Sequence, residues 1–250
     1  MCAAVSVLQS GLGAKMPRAD VVLEIRSPES VTQHEPVIIE IAVVNNSTDV
    51  VSVELGLDRK AKVTLRLRTP NGTVLEMKPA GRTSGVSFAP LGPEHVPAGK
   101  RWSSKLILND LFTIDGVGVY DVEMAFDGDV RSAAGQKMSL DRIHTASFRV
   151  LPRNQEILRQ RCANWLQIGR TAPSISEQEE ALTALQHVLD VAAIPYLRDA
   201  VEIRHWWEAL GTIERIGGPE ARVALDALHH SRDPLVARMA KSVTIKNPKV

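Results

Sequence analysis

The chain has 250 residues, 44% of them apolar, and its 30 basic and 29 acidic side chains leave a net charge of +1. That length supports two ordinary cores of roughly 100 to 150 residues each, with no disulfide or metal needed to hold either. Charge stays balanced within both halves, which leaves no electrostatic footprint for nucleic acid, and no run reaches the roughly 18 apolar residues of a transmembrane helix.

Residues 1–19, opening MCAAVSVLQSGLGAK, are rich in small residues and lack a basic stretch ahead of a short apolar core. A disordered segment is expected there, with a truncated export signal or a leader ahead of a start at Met16 as alternatives. The compartment is left open. From residue 20 to 151 the apolar residues alternate with polar ones, as in Val63-Thr64-Leu65-Arg66-Leu67-Arg68, the pattern of strands with one buried face. Alternation and β-branched content predict strands at Val21 to Arg26, Val37 to Asn45, Val50 to Leu57, Lys62 to Thr69, Arg101 to Leu108, Gly118 to Phe126 and Thr145 to Leu151. Asn71-Gly72 predicts a tight hairpin, because both residues tolerate positive φ. The segments Lys78 to Pro97 and Asp127 to Arg142 read as long connections, the expected contact surfaces of this half. Asn45, Asn46 and Asn71 open glycosylation-like triplets but read as turn residues.

At about Pro152 the hydrophobic period switches from two to three-and-four spacing, and residues 153–250 are predicted to be helical. Asn154 is placed as the cap of a helix burying Ile157, Leu158, Cys162, Trp165 and Leu166 and stopping at Gly169. Ser176 with Glu179 reads as a capping box ahead of a helix over Ala181 to Val191, with Leu182, Leu185, Val188, Leu189 and Ala192 on its buried face. Pro195, Pro219 and Asp233-Pro234 open three more helices, within a total of six. Cys162 reads as a core residue with no disulfide to Cys2.

Two resemblances attach to these elements. The phrase Pro36-Val37-Ile38-Ile39-Glu40-Ile41-Ala42-Val43-Val44-Asn45-Asn46-Ser47, the Pro97-Ala98-Gly99 turn, the Trp102-to-Leu108 strand and Gly118-Val119-Tyr120-Asp121-Val122 resemble bacterial immunoglobulin-like domains, including those similar to the intracellular proteinase inhibitor of bacilli. This implies an all-β immunoglobulin-like sandwich, with the Tyr120 hydroxyl tucked against backbone as in a tyrosine corner. The stretch Glu180-Ala181-Leu182 through Ala200 is echoed 28 residues on by Glu208-Ala209-Leu210 through Leu228, which resembles HEAT-type repeats. That resemblance implies all-α helical hairpins with Leu197 and Ala200, then Leu225 and Leu228, as core pairs, and a role in binding rather than chemistry.

Motifs of catalysis do not emerge. The sequence carries no His-Glu-x-x-His, Gly-x-Ser-x-Gly, Gly-rich phosphate loop or Cys-x-x-Cys. Its seven histidines are scattered, and His229-His230 reads as a helix C-terminus. Asp127, Asp129 and Asp141 lie around one loop but lack the spacing of a calcium site, and Asp121 and Glu123 fall on a solvated strand face. No cofactor or metal is expected. The candidate interaction residues are Trp206 and Trp207, of which Trp207 is expected inside and Trp206 at a boundary against the sandwich, and His95, Arg101 and Trp102 around the Pro97-Ala98-Gly99 turn. The expected function is a noncatalytic protein-binding or scaffold role of bacterial type with an unidentified protein partner. The alternatives are a proteinase inhibitor acting through a sandwich loop and a hydrolase with its site at the domain junction.

Overall fold

The computed structural model describes residues 20–54, 63–77, 94–126, 128–138 and 143–243. The strands are β1 (Val21–Arg26), β2 (Ser30–Thr32), β3 (Ile38–Asn45), β4 (Val51–Glu54), β5 (Val63–Arg68), β6 (Val74–Glu76), β7 (Glu94–Val96), β8 (Arg101–Ile107), β9 (Gly118–Phe126), β10 (Asp129–Ser132) and β11 (Ile143–Leu151). The helices are α1 (Gln155–Thr171), α2 (Ile175–Gln186), α3 (Ile194–Arg204), α4 (Glu208–Ile216), α5 (Gly218–His229) and α6 (Pro234–Lys241). Short 3-10 turns at Leu108–Asp110 and Val191–Ala193 follow β8 and precede α3. An all-β sandwich is thus followed by an all-α region.

Alternation decides which face of each strand is buried. In β9, Tyr120, Val122, Met124 and Phe126 point into the core and Asp121 points to solvent. One layer has the order β2-β11-β9-β5-β6, and the facing strands form β1-β3-β8 and β10-β4-β7. Ile39, Ile41 and Val43 of β3, Val51 and Val53 of β4 and Leu65 and Leu67 of β5 share one core cluster with the β9 residues. Tyr120 stacks on Phe148, with ring centroids 5.3 Å apart. Its hydroxyl donates to the Gly116 carbonyl at 2.9 Å and accepts from the Gly116 amide at 3.1 Å. This is the backbone clamp of a tyrosine corner, the mark of an immunoglobulin-like sandwich.

The hairpin at Asn71-Gly72 forms with a different turn from the tight one expected. Gly72 alone has positive φ, at 84°, and its amide bonds Thr69 O at 2.9 Å while the Thr69 amide bonds Thr73 O at 2.8 Å. Pro70 presets the first turn position and Gly72 supplies the left-handed residue that closes the wider loop. The sequence also contains strands shorter than alternation can reveal, namely β2, β6, β7 and β10. The connection expected over Asp127 to Arg142 holds β10, paired with β4. Of the Lys78 to Pro97 connection, Glu94–Val96 forms β7, and residues 78–93 lie outside the described residues, as do residues 1–19.

Asn154 caps α1, its side chain accepting from the Glu156 and Ile157 amides. The helix does not stop at Gly169 but runs to Thr171, and Gly169 instead lies against Leu182 of α2: a Cβ there would lie 2.7 Å from Leu182 Cδ2. Ile157, expected inside, is 37% exposed. Ser174, not Ser176, caps α2, accepting from the Glu177 amide. That helix ends at Gln186 rather than Val191, since His187 and Val188 close a turn back onto Ala184 and Leu185 and Asp190 caps the next 3-10 turn. Leu182, Leu185, Val188 and Ala192 are buried, whereas Leu189 is 46% exposed.

The helices pair as α1 with α2, α3 with α4 and α5 with α6, and contacts of α1 with α3, α3 with α5 and α2 with α4 stack them in two rows. This pairing is one helix out of phase with the unit read from the sequence. Positions 28 apart are buried alike: Leu182 and Leu210, Leu185 and Ile213, Leu197 and Leu225, Ala200 and Leu228.

Candidate functional site

The sandwich and the helices are joined without slack. The Thr32 hydroxyl donates to Pro152 O at 2.8 Å and accepts from the Asn154 amide at 2.9 Å, so β2 holds the chain as it enters α1. Arg153 makes a bidentate pair with Asp190, at 2.6 and 3.0 Å. Burial works against the Asp190 carboxylate, but the guanidinium and the Ala192 amide outweigh it and hold its pKa below the ordinary range. Arg161 of α1 reaches Glu35 of the sandwich at 3.2 Å. Glu35 is only 7% exposed, and burial raises its pKa despite the Thr32 amide and Arg161.

On the other side of the junction His187 Nε2 lies 3.5 Å from Asp110. Burial lowers the imidazole pKa; Asp110 opposes this and Arg215 reinforces it. Burial thus disfavours the charged form of the imidazole in this contact. A hydrolase at the junction would need a nucleophile on this imidazole; the side chain found against its Nε2 is Asp110. Cys162 is fully buried, and burial pushes its thiol up to about 12.

The junction also holds a solvent-facing cleft of about 490 Å³, within the ordinary range of binding sites. One wall is the sheet at its outer strand β8, with Trp102, Ser103, Ser104, Lys105 and Ile107, and reaches Ile38 of β3; the other is α1 and α2, with Trp165, Ile168, Glu177 and Glu180. Lys105 Nζ crosses it to Glu180 at 2.8 Å. Both tryptophans are half-buried, each packed on its own domain's core.

Of the residues singled out from the sequence, Trp102 alone lines this cleft. Arg101 points to the outer sheet face, 2.7 Å from Glu40 and 3.8 Å from Glu24. It holds the Glu40 carboxyl well below its usual range, at about 2. His95 is exposed on β7, opposite Ser52. Trp206 and Trp207 are not on a helix: His205 at φ 51° ends α3, and both tryptophans lie half-buried in the turn to α4. The 100° helical separation that would send Trp207 inward and Trp206 to the sandwich does not apply. The Trp206 indole instead donates to Gln186 at 2.8 Å, Trp207 stacks on His205 with centroids 5.2 Å apart, and both rest on the helical core. Trp165, Lys105 and Glu180 were not singled out; Trp165 carried a core pattern, and nothing local joins Lys105 to a residue 75 positions away.

No group of three or more metal-ligating side chains occurs among the described residues. Asp129 is tied to Arg131 and Lys137, while Asp127 and Asp141 lie outside the described residues. His229 bonds Ala240 O and His230 bonds Asp226 O, so the two rings diverge. No helix among the described residues is long and apolar enough to cross a membrane.

No protein-family model matches the chain, and no curated protein matches it. Solved structures do. The CARDB domain of a Pyrococcus furiosus protein, in complex with di-metal ions, aligns at TM-score 0.30 and 15% identity over 53% of this chain and 88% of its own. The PapD-like domain 7 of human CEP192 aligns at TM-score 0.31 and 15% identity, covering 62% of this chain and 100% of its own. An alkylpurine DNA glycosylase of Pseudomonas fluorescens bound to DNA aligns at 0.24 and 13% identity, over 53% of this chain and 30% of its own. At these scores the likenesses carry no argument about function.

Proposed function

We propose that the chain is a noncatalytic protein-binding or scaffold protein of bacterial type whose partner surface is the cleft between β8 and the first two helices. The observation that carries this reading is that Trp102 from one domain and Trp165 from the other both line a cleft open to solvent. Half-buried tryptophans gain apolar contact on binding at little entropic cost, which is why they anchor interfaces. The helical region reads as a short HEAT-like array, a reading supported by its 28-residue echo of buried positions and its two stacked rows. Such an array presents helices to a partner, and its first hairpin, α1 with α2, supplies the wall here.

The test is retention of partners from the source cell's lysate by the full chain and by Trp165→Ser, with circular dichroism to show that the variant folds. One defined protein retained by the parent and lost with the variant is expected. Equal retention by both, or a turnover activity that depends on His187, overturns the reading.

A further inference from the structure

Among the described residues, strand β8 pairs only with β3. In an antiparallel pair the backbone groups of successive residues point alternately to the neighbour and away from it. The phase is fixed at both ends: the Asn45 amide bonds Lys100 O at 2.9 Å, and the Leu108 amide bonds Val37 O at 2.9 Å. With the register Val43↔Trp102, Ile41↔Ser104 and Ile39↔Leu106, those β8 residues spend their backbone groups on β3. Ser103 and Lys105 therefore turn their N–H and C=O the other way, along the outer edge. Both residues line the cleft, and these backbone groups have no hydrogen-bond partner among the described residues.

An edge of this kind is ordinarily blunted by a charge, a proline or a bulge, because it templates the addition of another strand. Here Lys105 is drawn across to Glu180 instead. We infer that the cleft binds an extended peptide of a partner protein as an added strand on β8, the peptide carrying a lysine or arginine among alternating apolar residues. This rests on the binding reading above and specifies its ligand. The backbone of the peptide would meet the Ser103 and Lys105 groups, and its apolar side chains would extend the sandwich core past Trp102. The basic residue is required by charge: the helical wall brings two carboxylates, Glu177 and Glu180, against the single ammonium of Lys105. Among such peptides, the alternation selects those that present apolar side chains on one face.

The experiment selects a displayed library of random octapeptides on the immobilised full chain and measures the affinity of the enriched peptide. Two versions of it, N-methylated at alternate amides, expose opposite edges to β8. One methylated version should lose at least ten-fold in affinity and the other retain it. Binding should also protect the Ser103 and Lys105 amides from hydrogen exchange. Ser103→Pro, which removes an outward N–H and no ladder bond, should weaken binding at least ten-fold while the fold survives. No enriched peptide, or equal affinity for the two methylated versions, overturns the inference, and neither of these outcomes depends on how the proline variant folds. If Ser103→Pro keeps the same cellular partner as the parent chain, strand addition is wrong while the binding reading stands.

Discussion

Two glycines in helices should respond oppositely to the same substitution. At Gly169 in α1 an added Cβ would sit 2.7 Å from Leu182 Cδ2 and 2.8 Å from Cγ, and Leu182 is 2% exposed with nowhere to withdraw. Overpacking of this kind costs about 1–3 kcal/mol. The gain in helix propensity from glycine to alanine is at most about 1 kcal/mol and is smaller near a helix end. Gly169→Ala is therefore expected to destabilise by up to about 2 kcal/mol. Gly211 in α4 has nothing within 4 Å of its Cβ position, so Gly211→Ala should collect the propensity gain alone. The assay is thermal unfolding followed by helical circular dichroism, where 1 kcal/mol moves Tm by about 4–8 °C in a helical unit of under 100 residues. Tm should rise for Gly211→Ala and fall or stay level for Gly169→Ala. In a Leu182→Ala background the Gly169 substitution should lose its penalty, because the obstructing atoms are gone. A Tm gain at Gly169 equal to that at Gly211 would refute the close approach of α1 and α2.

Tyr120→Phe removes a hydroxyl that makes two backbone hydrogen bonds but leaves the stack on Phe148. Because Gly116 is only half-buried and water can partly replace the clamp, a loss of about 1–2 kcal/mol in urea unfolding of the sandwich is expected. Glu40, held at about 2 by Arg101, contributes stability that is complete above its ordinary pKa of 4.5 and is lost as pH falls through about 2. Glu40→Gln should flatten that part of the Tm-against-pH curve, and an unchanged slope would count against the Arg101 pairing. Cys162 should resist alkylation at pH 8 in the folded chain and react once denaturant opens the helices, as read by mass spectrometry of its peptide.

The sandwich and helical halves were legible because their long elements repeat one period many times, as in Gly118–Phe126 and Gln155–Thr171. Strands of three or four residues, such as Ser30–Thr32, are set by a neighbour distant in sequence, here Arg149–Leu151. The cap of α2 was ambiguous because Ser174 and Ser176 both precede a glutamate by three positions, at Glu177 and Glu179. In the structure Ser174 takes the cap, accepting from the Glu177 amide. The tryptophans were misplaced because His205, a residue that seldom takes positive φ, ends α3 where the pattern continues. Nor does either half alone reveal the cleft: one wall is the sheet around β8 and the other is two helices.

Only Pro152, Arg153 and Asn154 separate the end of β11 from the first residue of α1, and Thr32 grips the backbone at both Pro152 and Asn154. The spacing across this joint works as a ruler. One residue added would turn the whole helical array about 100° around the axis of α1 and shift it along that axis, while the two grips stayed where they are. Trp165 would leave the cleft, and Glu180 would leave the reach of Lys105. Changes in chain length, more than changes of side chain, are what this joint should not tolerate.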